Sequence, residues 1–286
     1  MLNNLINITY RGYRRYRSFR IRPTDIVLDI GPGDHPFFRA DILLDLYVEG
    51  LPKDERPFVQ ADICALPFYD KSIDFIYCHH VLEHVDDPEK ALNEFQRVSH
   101  RGYIGTPSSL GERLFGLDPA HKWLVEQDKG ELIFTPKDDT FFLHAEIARA
   151  LMQELFKAKP KVMRSFYYGC SPLWGIEYRW SENIYFKINP GAPAEMRRAA
   201  LFSTVPHPKS MITNLRNFAW NLARWYLKLK RRSRRIDLAS LLRCPLCEGK
   251  LYRTHTGDFC CQGCNAGFPV KGTVIKMLPS PGDSKT

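Results

Sequence analysis

Along the first third of the chain, apolar residues fall in short blocks separated by turn-forming and polar residues. Blocks at 26–30, 41–46, 57–60, 73–78 and 102–105 predict buried strands. Between the last two, Ala91, Leu92, Phe95 and Val98 recur at helical spacing and predict a helix at 88–99. Alternation of this kind predicts an α/β fold with a parallel sheet and right-handed crossovers. Farther on, the pattern predicts a helix at 143–157, then β-like runs at 162–168 and 183–188 that complete the sheet. Apolar positions at 211, 212, 215, 218, 219, 222, 225, 226 and 229 predict a helix at 211–229. Residues 108–140 are less periodic and rich in Gly, Pro and charge. They follow Thr106-Pro107 at the carboxyl end of a predicted strand, where insertions form substrate lids.

The first strand runs into Asp29-Ile30-Gly31-Pro32-Gly33, and the second ends in Asp45. Gly31 and Gly33 let the backbone turn tightly and approach a ligand. Asp45 offers two acceptor oxygens to the hydroxyls of a ribose. This is the layout of a nucleoside site at the carboxyl edge of an open sheet. The third glycine of a dinucleotide fingerprint is replaced by Pro36, which disfavours a bound pyrophosphate.

The 286 residues suffice for one large or two smaller domains, and 44% are hydrophobic, enough for a real core. No apolar run is long enough to span a membrane, and the basic N-terminus has no apolar stretch after it to suggest a signal peptide. The net charge of +9 sits on two segments. Arg11, Arg14, Arg15, Arg17, Arg20 and Arg22 form one, and Lys228, Lys230, Arg231, Arg232, Arg234 and Arg235 the other. The rest carries 29 basic against 32 acidic residues, so the core is no basic nucleic-acid surface. Cys64, Cys78 and Cys170 are scattered, whereas five cysteines crowd into 244–264. That distribution suggests reduced thiols and a metal site, hence a cytoplasmic protein.

The stretches 61–68 and 70–76, the run Val81-Leu82-Glu83-His84-Val85-Asp86-Asp87-Pro88, and Glu94-Phe95-Gln96-Arg97-Val98 together resemble class I S-adenosylmethionine-dependent methyltransferases. They look most like the branch that includes ubiquinone and menaquinone biosynthesis enzymes. The resemblance covers residues 25–107 and implies a Rossmann-like sheet with S-adenosylmethionine as cofactor. It implies that Asp29, Gly31 and Gly33 line the methionine end, Asp45 binds the ribose, and Asp62 and Ile63 flank the adenine. His79 and His80 would lie near the sulfonium and the substrate. One departure is plain: the helix between strands one and two is cut to His35–Ala40. Methyl transfer to a hydroxyl or a protonated amine needs a base, for which His80, His84 and His121 are candidates. Glu83-His84, set among apolar Val81, Leu82 and Val85, also reads as a structural helix-start pair, and His121, in Ala120-His121-Lys122-Trp123, as an exposed loop histidine. No Asn-Pro-Pro-Tyr or Asp-Pro-Pro-Tyr motif follows strand four, which argues against amide or adenine N-methylation.

Cys244, Cys247, Cys261 and Cys264 form two C-x-x-C knuckles, the spacing of a structural tetrahedral Zn2+ site. Cys260 or His255 are weaker substitutes. A module this small needs such a staple. Residues 241–247 and 266–278 resemble the small zinc-ribbon activator proteins that partner translation-related methyltransferases, here fused in cis. The organisation read from sequence is a basic segment at 1–22, a methyltransferase domain at 23–205 with its lid at 108–140, a basic amphipathic linker at 206–236 and a zinc-ribbon domain at 237–280.

Three functions compete. The first is methylation of a small-molecule, glycan or lipid-linked acceptor. The second is methylation of RNA or protein of the translation machinery. The third, a non-catalytic scaffold, needs none of Asp29, Gly31, Gly33 and Asp45 together. The linker reads as a packed helix with a solvated basic end, as a peripheral membrane contact through 211–235, or as an RNA contact.

Overall fold

The computed structural model describes residues 18–34, 36–48, 54–115, 118, 120–191 and 236–278. The expected basic leader, apart from its last residues, and the 211–229 helix with its basic end lie outside the described residues.

Strands β1 (Val27–Ile30), β2 (Ile42–Asp45), β3 (Phe58–Gln60) and β4 (Phe75–His79) come first, followed by helix α1 (Pro88–Val98) and β5 (Arg101–Pro107). Next come α2 (Ser109–Leu114), β6 (Trp123–Asp128), β7 (Glu131–Pro136), α3 (Asp139–Ala158), α4 (Pro160–Gly169), α5 (Ser171–Trp174), β8 (Gly175–Ser181) and β9 (Phe186–Ile188). The C-terminal module holds α6 (Leu238–Leu241), β10 (Leu251–Arg253), β11 (Phe259–Cys261), β12 (Gly267–Phe268), β13 (Val270–Lys271) and β14 (Val274–Lys276).

The main sheet has the order β13-β14-β3-β2-β1-β4-β5-β8. Strands β3, β2, β1, β4 and β5 are parallel, and β8 closes one edge antiparallel. Chain order reverses at β1, whose neighbours are β2 and β4. In open α/β sheets ligands bind at this point, beyond the carboxyl ends of the strands.

Alternate residues of each strand face opposite sides. One side, with Leu28, Ile30, Ile42, Leu44, Ile76 and Ile104, packs on Ala91, Leu92, Phe95 and Val98 of α1. Helix α1 starts where expected because the Asp87 side chain accepts from the Lys90 N–H and Pro88 takes the first turn. Arg97 anchors it by donating to Glu94, to Asp70 and to the carbonyls of Leu66 and Phe68. The other side carries Val27, Leu43, Phe75 and Tyr103 under Phe19 and Phe37.

Two expectations are corrected. Residues 162–168 are helical within α4, not a strand: Pro160 sets the first turn, and the Val and aromatic residues that suggested a strand line a helix surface. The strand that completes the main sheet is β8, at 175–181, while β9 pairs with β7 in a small separate sheet with β6. Residues 108–140, expected as a lid, hold a short helix and a hairpin whose Trp123, Val125, Leu132 and Phe134 enter the main core.

The C-terminal module is continuous with the sheet. Strand β14 pairs parallel with β3, Phe58 N–H donating to the Thr273 carbonyl and Met277 N–H to that of Gln60, each at 2.9 Å. Leu241, Leu242, Leu251, Phe259, Phe268, Ile275 and Met277 belong to the main core cluster.

Leu242 is fully buried in that core and bridges to Phe68. Leu242→Ala is expected to cost about 2–5 kcal/mol in urea unfolding. Module and sheet should melt in one transition; two separated transitions would show that they fold independently.

Candidate functional site

Both glycines of the turn after β1 have left-handed backbone, Gly31 at φ +66° and Gly33 at φ +46°. A Cβ on Gly31 would meet the Val81 Cγ2 at 2.2 Å, whereas Gly33 has open space. Gly31 is thus fixed by close packing as well as conformation, and Gly33 by conformation alone. The Gly31 N–H donates to the Leu44 carbonyl at 2.9 Å, which ties the turn to β2.

Asp29 is buried, and one of its oxygens accepts from the Phe37 N–H at 2.6 Å. It therefore braces the segment that replaces the missing helix. Arg56 helps by donating to the carbonyls of Phe37 and Ala40 while pairing with Asp54. Burial pushes the Asp29 carboxyl up to about 7, against the opposing pull of the Phe37 N–H and Arg56.

Asp45 ends β2 half-buried, accepting from the Tyr47 N–H at 3.2 Å; desolvation raises its pKa. Its carbonyl accepts from Ala61, which sets Asp62 just beyond β3. The exposed Asp62 carboxylate accepts from the Cys64 N–H at 2.8 Å and starts a 3-10 turn containing buried Ile63. His79 ends β4 against Gly105, where a Cβ would meet the His79 Cδ2 at 2.4 Å. Gly31, Gly33, Asp45, Asp62, Ile63 and His79 thus all stand at the carboxyl ends of β1 to β4, around the reversal of strand order.

His80 follows in left-handed backbone at φ +59°, its N–H donating to the Gly105 carbonyl at 2.8 Å. Its half-exposed ring meets Glu83 through Nδ1 at 3.0 Å. Glu83 is buried, and its second oxygen accepts from Thr106 Oγ1 at 3.1 Å. The Glu83 carbonyl accepts from the Lys122 N–H at 2.7 Å, so the segment before β6 is fastened to the strand-four loop.

That fastening brings His121 to His84, with ring centroids 4.5 Å apart and edge to face. His84 Nδ1 lies 3.2 Å from the Ala120 carbonyl and His121 Nδ1 2.7 Å from Glu112 Oε1. Each contact places a proton on Nδ1, and His121 Nε2 faces the Asp118 carboxylate at 3.8 Å. Burial, then the neighbouring His121, lowers the His84 pKa and favours neutral imidazole. His121 is largely enclosed, not an exposed loop histidine.

Glu112 and Lys137 were not legible in the sequence. Both are buried and paired, Lys137 Nζ donating to Glu112 Oε2 at 2.5 Å. Burial pushes the Glu112 carboxyl up, but His121 and Lys137 outweigh it and hold it below the usual range. Burial lowers the Lys137 pKa, with Glu112 pulling back. The ligand atoms of Glu83, His84 and His121 lie within 4.8 Å of one another, a geometry that could also hold a metal ion.

Cys244, Cys247, Cys261 and Cys264 converge within the same limit. The Cys244–Cys264 and Cys247–Cys261 Sγ pairs are 3.7 and 3.4 Å apart. Tetrahedral zinc with Zn–S near 2.3 Å requires about 3.8 Å. Glu248 and Asn265, each just after a knuckle, take left-handed backbone, and a Cβ at Gly249 would crowd two of the sulfurs. The donor set therefore fits zinc. Cys260 instead points its Sγ at the carbonyls of Cys261 and Asn265, outside this cluster.

Residues 45–104 match the family model of a methyltransferase domain, a span that holds Asp45, Asp62, His79 and His84 but not the glycine turn. No curated protein matches the chain. Among solved structures, the YcgJ protein of Bacillus subtilis is 22% identical over 42% of this chain, with a TM-score of 0.31. The match spans 61% of that protein. A chain from a complex between the Haloferax volcanii Trm112 methyltransferase activator and a methyltransferase is 18% identical over 41% of this chain and 68% of its own, with a TM-score of 0.30. A SAM-dependent methyltransferase from Methanosarcina mazei is 18% identical over 40% and 71%, with a TM-score of 0.29.

Asp29 titrates at about 7 in the fold against an ordinary 3.8. A raised folded pKa stabilises fully below the unfolded value and is lost as pH rises through about 7. Asp29→Asn keeps an acceptor for Phe37 and removes the titration. Urea unfolding at pH 4 and pH 7 should show the variant gaining stability relative to wild type at the higher pH. An unchanged difference would mean Asp29 ionises normally.

Proposed function

We propose that the chain is an S-adenosylmethionine-dependent methyltransferase acting on a small-molecule, glycan or lipid-linked acceptor through a hydroxyl group. The observation that carries this reading is the convergence of the Gly31–Gly33 turn, Asp45 and the His84–His121–Glu112 group at one sheet edge, inside and beside the matched methyltransferase segment.

Asp45 would hold the ribose hydroxyls, Asp62 and Ile63 would border the adenine, and the glycine turn would receive the methionine end. The bound cofactor supplies an activated methyl group on a sulfonium, so alignment of donor and acceptor carries much of the rate. His121 Nε2 would take the hydroxyl proton of the acceptor, whose oxygen would receive the methyl group as the bond from that methyl to the sulfonium sulfur breaks and the neutral thioether leaves. Glu112 holds the Nδ1 proton in place and stabilises the imidazolium that forms, while Lys137 keeps Glu112 ionised. Neutral His84 beside His121 adds no competing positive charge. His80, tied to Glu83 at the mouth of β4, lines the acceptor side. The near-neutral core charge supports this class of acceptor over a polyanion.

A second reading, methylation of RNA or protein of the translation machinery, is favoured by one observation: a four-cysteine module seated on β3 of the same chain. Labelled S-adenosylmethionine incubated with the protein and fractionated host extract separates the two. Label in small-molecule, glycan or lipid fractions supports the first; label in RNA or protein supports the second.

His121→Gln should lower kcat by about 10²- to 10⁴-fold with cofactor affinity unchanged. Asp45→Ala should weaken S-adenosylmethionine binding by about 10- to 100-fold in calorimetry. Full activity in the first variant would remove His121 as the base.

The C-terminal module would hold one structural zinc with no open coordination position. The purified protein should contain about one zinc per chain, and chelation should lower its melting temperature. A stable, zinc-free protein would sink the zinc assignment.

A further inference from the structure

Helix α3 buries Phe141 and Ala145 in its first two turns, and beyond them none of its described residues is fully buried. Ile147, Leu151 and Leu155 then recur at four-residue spacing and are exposed, Ile147 by 66% and Leu151 by 56%. On α4, Val162 and Phe166 repeat the pattern, with Val162 63% exposed, and Leu173 follows on α5. The inner side of this hairpin is already satisfied: Phe115, at the end of α2, packs on Phe156, Tyr167 and Trp174. Two helices with apolar outer rows are an uncommon surface for water alone.

The charges beside these rows choose the occupant. Arg149, Lys157, Lys159, Lys161 and Arg164 belong to the hairpin; Glu146 and Glu154 also lie on α3, Lys157 pairing with Glu154, but residues 155–176 contain no acid. Tyr168 is exposed next to them, and Tyr167, which packs on Phe115, is exposed in part. The linker at 211–235 also carries basic residues and no acid, so it would bring like charge to the same place. A second copy of the hairpin would bring the same excess of cations around α4, where residues 155–176 hold no acid. A nucleic acid would meet the cations but leave the Ile, Leu and Val side chains in water. An anionic lipid surface answers both features, taking apolar side chains into the acyl boundary, cations at the headgroups and tyrosines between.

We propose that the α3–α4 hairpin is an interfacial element that seats its apolar outer rows in an anionic membrane surface. It packs on α2, which carries Glu112, so the membrane face and the candidate site share one rigid contact. The element lies on the surface and does not cross it: among the described residues no helix is long and apolar enough to span a bilayer.

The test is sedimentation of the full-length protein with sucrose-loaded vesicles, either phosphatidylcholine alone or phosphatidylcholine mixed with phosphatidylglycerol. Wild type should pellet with the anionic vesicles and release at high salt. Leu151→Glu with Phe166→Glu, and separately Lys159→Glu with Lys161→Glu, should each weaken binding by about tenfold. All four side chains are exposed, so circular dichroism should be unchanged, and the charge-reversal pair keeps the test valid if the apolar pair misfolds. Absence of wild-type binding overturns the proposal. So does wild-type-like binding by both variants, which would place the contact elsewhere, as in 211–235. A dimer that the variants dissociate would show that the face covers a second copy, and would overturn it too.

Discussion

The backbone pairing of β3 with β14 is the constraint on which most of this molecule rests. A short edge strand leaves its N–H and C=O groups unpaired on one side. Here residues more than two hundred positions away complete that ladder, and their neighbours Leu242, Ile275 and Met277 enter the same apolar core. The sheet is thereby held from both flanks, by β8 on one edge and by the C-terminal module on the other. Strand β2, which ends in Asp45, is in turn fixed against β3. The four cysteines cluster in the module that presents β14, so the packing of that module bears on the edge next to β2, which ends in Asp45.

A second dependence runs through buried carboxylates. Glu83 and Glu112 are each nearly inaccessible to solvent, and each is met by designated donors. Burial of a carboxylate is costly unless hydrogen bonds and opposite charge offset it. Glu83 joins the strand-four loop to β5, and Glu112 joins α2 to Lys137 at the end of β7. Between them they bring His84 and His121 into contact. Asp29 is the contrasting case. It meets a backbone N–H but, among the described residues, no direct ion pair, so burial moves its proton affinity toward neutrality.

The parallel strands and α1 were legible in the sequence because each depends on neighbours a few positions away. Apolar blocks bounded by turn residues gave β1 to β5 within a residue or two, and Asp87-Pro88 marked the start of α1 through a local cap. The glycine turn was legible because a left-handed backbone selects glycine at the position itself. The four cysteines were legible because metal-ligand spacing within a knuckle is a local property. The error at 162–168 has the same origin: Val, Phe and Tyr suit a strand or a helix face, and periodicity over so short a run does not choose.

What the sequence by itself determined was a parallel α/β sheet, a glycine turn and an acidic strand end at its carboxyl edge, and a four-thiol module. Only the tertiary structure decided that the module extends the sheet, that β8 rather than the following run closes it, and that His121 rests on Glu112. It also decided that Asp29 braces the Phe37 backbone and that, among the described residues, nothing buries the outer rows of α3 and α4. Each of these turns on which distant segments meet. Register, burial and ion pairing across such separations are set by packing of the whole chain, and no short window of residues carries them.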